Sequence, residues 1–150
     1  MKLAEALLLR GDMQKKIESL RERITRNGMV QQGEKPSEDP NALIKEAFAV
    51  TDELESLVVA INRANLKHKL SDGRTITEAI ARRDTLTKRH SLLLSAIKSS
   101  QEEPERYSMR EIKWKATLPV AKLQKQADDV AVRIREINAL IQESNWKVDL

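Results

Sequence analysis

An all-α fold follows from three features of this 150-residue sequence. Apolar residues recur at helical spacing along four separate stretches, three of them with coiled-coil spacing and the N-terminal one less regular, the pattern of helices buried on one side. Glycine and proline are scarce, at 4 each, and only 3% of residues are aromatic, which favours long regular elements over loop-rich architectures. These features predict four long helices, arranged in antiparallel coiled-coil-like hairpins or a four-helix bundle, within one domain spanning residues 1–150.

The first helix is carried by Leu3, Leu7, Met13, Ile17, Leu20 and Ile24. It ends before Asn27-Gly28, where glycine suits a left-handed C-cap. Residues 29–38 are polar and contain Gly33 and Pro36, which predicts a flexible crossover or a partly disordered loop. The second helix opens at Asp39 as N-cap with Pro40 at the first helical position. Its stripe is Leu43, Ala47, Val50, Leu54, Leu57, Ile61 and Ala64. Thr75, with Glu78 three residues on, forms a capping box for a third helix, whose stripe runs through Ile76, Ala79 or Ile80, Leu86, His90, Leu93 and Ile97. The fourth helix starts near Pro119 and ends near Asn145, with a heptad stripe of Val120, Leu123, Ala127, Val130, Ile134, Ile137 and Ile141.

Between the third and fourth helices, Ile112, Trp114 and Ala116 alternate with Lys113, Lys115 and Thr117. This is strand period, and Leu66, His68 and Leu70 before the Asp72-Gly73 turn offer a partner with the same alternation. A short strand pair over 66–70 and 112–117 is one outcome; irregular loop is the commoner one for so short a run.

Several kinds of chemistry lack their residues. Without cysteine there is no disulfide, thiolate nucleophile or Cys-ligated metal, which fits a reducing compartment. The histidines His68 and His90 have no glutamate three residues before them, so the di-metal motif of helical bundles is absent, as is the HExxH spacing. The glycines are isolated, so no phosphate-binding loop exists, and no serine stands in a nucleophile elbow. His90 reads as a core or rim histidine. These observations argue against an enzyme and imply no cofactor, metal or small-molecule substrate.

Charge is segregated although the total is only +4. From Glu34 to Glu55 seven acids face two bases, whereas from Arg63 to His90 eight bases face three acids. The basic residues Arg63, Lys67, Lys69, Arg74, Arg82, Arg83, Lys88 and Arg89 are the candidate contacts for an anion or an anionic membrane surface. The same residues offer nucleic-acid phosphates a salt-dependent, non-specific site, disfavoured because aromatic residues for base stacking are so few. Complementary charged ends, with apolar Leu8, Leu9, Val58, Leu92 and Leu94 flanking the stripes, predict a homo-oligomer. Trp114 and Trp146 are candidate interface residues or loop anchors, each suited to closing an end of the bundle.

The longest uninterrupted apolar run is Leu57–Ile61, against about 20 residues for a spanning helix. Glu5 and Arg10 break the N-terminal apolar segment, and no small-residue cleavage site follows it. The expected location is the cytoplasm.

Three blocks carry a resemblance over nearly the whole chain: Ile61-Asn62-Arg63, Asp72-Gly73-Arg74-Thr75, and Leu123-Gln124-Lys125-Gln126-Ala127-Asp128. With the opening MKLAEALLLRGDMQKKIESLRERI, the sequence resembles a family of small bacterial helical proteins, some of which bear the name septicolysin. The resemblance implies a bacterial all-helical protein of largely uncharacterised role and, for the named members, a pore-forming cytolysin. It supplies no catalytic residue. A cytolytic role requires secretion by a non-classical route and amphipathic helices that re-bury their stripes in lipid.

Overall fold

A computed structural model describes residues 1–103 and 113–150. The fold is all-α, as predicted, with α1 at Leu3–Arg26, α2 at Pro40–Lys67, α3 at Ile76–Gln101 and α4 at Val120–Lys147. The chain divides into two compact units, Met1–Lys69 with Glu143–Leu150, and Leu70–Gln142.

In the first unit α1 and α2 pack antiparallel. Leu20, Leu43 and Val50 form the buried cluster, with Met13, Ile17, Ile24 and Ala47 packed against it. Lys16 Nζ meets Glu46 Oε1 at 3.0 Å, an ion pair that crosses between the two helices. The α2 cap is as predicted: Asp39 Oδ1 accepts the Asn41 N–H at 3.0 Å, and Pro40 occupies the first turn. At the end of α1 the expectation fails in detail, because Gly28 does not adopt the left-handed conformation. The buried Asn27 takes over that task. Its amide donates to the Arg23 carbonyl at 2.9 Å, and its Oδ1 accepts from Ser37 Oγ at 3.0 Å and the Glu38 N–H at 3.1 Å. One side chain thus satisfies a free helix carbonyl and ties the crossover back to the helix it leaves.

The other end of this unit is closed by a backbone clasp. The Leu3 N–H donates to the Val148 carbonyl at 2.9 Å and the Leu150 N–H to the Met1 carbonyl at 3.0 Å. Lys2 Nζ adds a bond to Asp149 Oδ2 at 2.8 Å, while the Lys2 N–H caps α1 through Glu5 Oε2 at 2.7 Å.

In the second unit α3 begins with the predicted capping box: the Thr75 N–H donates to Glu78 Oε2 at 2.7 Å, and the Glu78 N–H to Thr75 Oγ1 at 3.1 Å. Helix α4 starts at Val120, so Pro119 is the residue just outside it, accepting the Leu123 N–H at 3.0 Å. Of the α4 stripe, Ala127, Ile137 and Ile141 are buried and Ile134 is half-buried. The proposed strand pair is not formed. Residues 113–117 are irregular, Ile112 lies outside the described residues, and Leu70 turns onto its own loop. Its N–H donates to the Arg74 carbonyl at 2.7 Å and its carbonyl accepts the Gly73 N–H at 3.0 Å. Gly73, at φ +88, supplies the left-handed residue this tight return needs.

The two helix pairs are copies of one pattern, in register when Leu3 is set on Ile76 and Ile61 on Ile141. Leu3 and Ile76 are both 0% exposed, as are Ala6 and Ala79. Leu57 matches Ile137 and Ile61 matches Ile141, all buried. The bond from Leu150 to Met1 has its counterpart in the bond from Leu70 to Arg74, and Glu5 and Glu78 perform the same capping.

Leu20 has no exposed surface, so Leu20→Ala is expected to cost about 2–5 kcal/mol of stability. Leu92→Ala, at a residue 71% exposed, is expected to stay within about 0.5 kcal/mol. Urea denaturation of both variants checks the contrast.

Candidate functional site

The basic residues singled out in the sequence are divided between the two units. Arg63, Lys67 and Lys69 belong to the first unit, and Arg74, Arg82, Arg83, Lys88 and Arg89 to the second. Arg83 is spent locally, its Nε and Nη2 donating to Asp84 Oδ1 at 3.0 and 2.9 Å. Lys88 is exposed.

Arg74 and Arg82, by contrast, line one cavity of about 310 Å³ in the second unit, together with Arg133 and the acids Asp72 and Glu136. Its apolar lining is Leu86, Ile137 and Leu140. Local turn chemistry sets the position of Arg74. Asp72 Oδ1 accepts the Arg74 N–H at 3.1 Å, and Asp72 Oδ2 lies 3.7 Å from the Arg74 guanidinium. Among the described residues neither Arg82 nor Arg133 has a carboxylate in ion-pair contact. Arg89 lines a neighbouring groove of about 540 Å³ with Leu92, Leu93 and Val130, and Arg133 closes that groove as well. Arg133 and Glu136 were not among the sequence candidates, because on α4 they read as ordinary solvated charges.

Both tryptophans are exposed, Trp114 at 55% and Trp146 at 57%. Trp146 follows the buried Asn145 on the last turn of α4. Trp114 lines a cavity of about 360 Å³ that includes Ser99, Ser100 and Leu118. His68 and His90 are half-buried. Among the described residues no three His, Asp or Glu side chains converge as a metal site would require, and no helix is long and apolar enough to cross a membrane.

Two structural pairs of the first unit carry perturbed titrations. The Arg23 guanidinium donates to Glu38 from Nε at 2.9 Å and also from Nη2, which holds the Glu38 carboxyl below its ordinary 4.5 and raises Arg23. The Lys2 ammonium likewise holds Asp149 below its ordinary 3.8.

The fold and cavity define a small all-helical protein built from two repeated hairpins, the second carrying an arginine-lined hollow. The model of the family of unknown function DUF6847 matches residues 10–150, and the chain belongs to that family. The chain is also similar to a functionally unknown conserved protein from Corynebacterium diphtheriae, whose crystal structure superposes with a TM-score of 0.92 at 33% identity. That match covers 100% of this chain and 98% of the other. No curated protein matches the chain.

Because Glu38 binds its proton less readily folded than unfolded, its pairing with Arg23 stabilises the hairpin above about pH 4.5, and this contribution fades as pH falls through the lowered folded value. Glu38→Gln is therefore expected to lower the melting temperature at about pH 7, with the difference from the parent shrinking as the pH falls progressively below 4.5. A difference that persists unchanged in acid would show that the carboxylate charge plays no part.

Proposed function

We propose that this chain is a non-enzymatic interaction protein that self-associates through the outer face of α2. One observation carries this reading. Phe48, Val59 and Leu66 are 65%, 40% and 64% exposed, and their separations are close to whole numbers of helical turns, so they fall on one line along α2. Isolated exposed apolar residues are ordinary; these three are set apart by lying on one line of one helix.

The charges beside that line favour a second copy as occupant. Asp52 and Glu55 lie between Phe48 and Val59, and Arg63 lies between Val59 and Leu66. Two α2 helices packed antiparallel about a two-fold axis bring Phe48 of each copy beside Leu66 of the other. Each acidic stretch then faces a basic one, and Val59 sits near the axis. A parallel pairing would oppose like charges along the same line. The lytic role implied by the septicolysin resemblance makes a separate demand, leakage of dye from liposomes, and self-association does not depend on it.

Light scattering at tens of micromolar is expected to give twice the 17.1 kDa chain mass for the parent protein. Val59→Glu places two like charges at the axis and is expected to give the single-chain mass with an unchanged melting curve. A parent protein that scatters as a monomer would overturn the proposal.

A further inference from the structure

The arginine cavity and the neighbouring groove run on from one another along the seam of α3 and α4. The cavity lies between Arg82 and Leu86 on α3 and Arg133 and Ile137 on α4. The groove lies between Leu92 and Leu93 on α3 and Val130 on α4, and Arg133 belongs to both. One end is therefore cationic over an apolar floor, and the other is largely apolar, with Arg89 and Asp129 at its rim.

The repeat provides an internal control for what a hairpin of this type needs. In the α1–α2 register, Leu9 stands where α3 has Arg82, Glu53 where α4 has Arg133, and Ser19 where α3 has Leu92. Lys16 and Glu46, the counterparts of Arg89 and Gln126, join across that seam at 3.0 Å. The first hairpin thus folds with neither arginine and closes its seam with an ion pair. In the second, the acid that would close the seam is Gln126, and two guanidiniums without a carboxylate partner among the described residues face the hollow beside it. Helix packing does not account for these differences.

We propose that the α3–α4 hairpin binds a free, single-chain amphiphilic carboxylate, its head between Arg82 and Arg133 and its alkyl chain along Leu92, Leu93 and Val130. The planar guanidinium fork matches a carboxylate through paired N–H donors. Three arginines against Asp72 and Glu136 leave a surplus of one positive charge at the cavity, which suits a monoanion. The cavity and groove, at about 310 and 540 Å³, have the dimensions of small-molecule sites. From Gln126 to Arg133 the helix rises about 10 Å, which sets the alkyl chain at medium length.

The test is calorimetric titration of the full chain with decanoate below its micelle limit, beside acetate, decanol and anionic phosphatidylglycerol vesicles. Decanoate is expected to saturate at one site per chain, with acetate and decanol each weaker by about tenfold or more, since each lacks one half of the contact. Arg82→Leu and Arg133→Glu install what the first hairpin carries at the same positions and are each expected to weaken decanoate about tenfold or more, with the melting curve retained. Arg82→Gln gives the same readout should either of these fail to fold. The proposal is overturned by the absence of saturable decanoate binding, by decanol binding as tightly as decanoate, or by undiminished binding in the arginine variants. Binding to vesicles but not to free decanoate would equally overturn it, in favour of a membrane surface.

Discussion

Burial of a narrow apolar stripe is the constraint on which everything else in this structure depends. The chain has almost no aromatic residues to fill volume, so its core is built from aliphatic side chains and alanine. Leu3, Leu20, Ile61 and Ile76 are the largest side chains fully removed from water. Such a stripe occupies about one side of each helix and leaves the other side free of any structural demand. The long exposed faces that result are where charge and exposed apolar residues can vary without cost to the fold, and the proposed contact surface of α2 lies on one of them.

Helices of this length, joined by turns, also need their ends fixed. Asn27 and the pair Arg23–Glu38 fasten the crossover, and the Met1–Leu3 segment is clasped to Val148–Leu150 by backbone hydrogen bonds. The turn at Leu70–Arg74 repeats one of those bonds and in doing so sets the backbone of Arg74 at the edge of the cavity. A device required for folding thereby positions a charge available for binding.

The duplication of the hairpin makes function legible by difference. Positions such as Leu57 and Ile137, or Ala6 and Ala79, agree because the stripe must be buried in both copies. Positions such as Leu9 and Arg82, or Glu53 and Arg133, disagree where burial imposes nothing. The first hairpin keeps the aligned surface of Phe48, Val59 and Leu66, whereas the second has Asp128, Ala139 and Trp146 in that register. The proposed dimer contact and the proposed ligand site accordingly fall in different halves of one repeated design.

The four helices, the caps at Asp39 and Thr75 and the stripe residues were legible in the sequence, because helical period and capping are local and depend on residues within a few positions of one another. Three matters were decided only by the tertiary structure. The alternation around Trp114 matches a strand, but a strand needs a partner, and Leu70 bonds to its own turn instead. The eight basic residues form a run in sequence, yet the chain distributes them over two units and pairs Arg83 with its neighbour. Arg133 lies far from that run and enters the site only because α4 returns alongside α3. Periodicity reports which face of a helix is buried; which charges from two distant helices come to share one hollow depends on how the helices register against each other, and no local pattern encodes that.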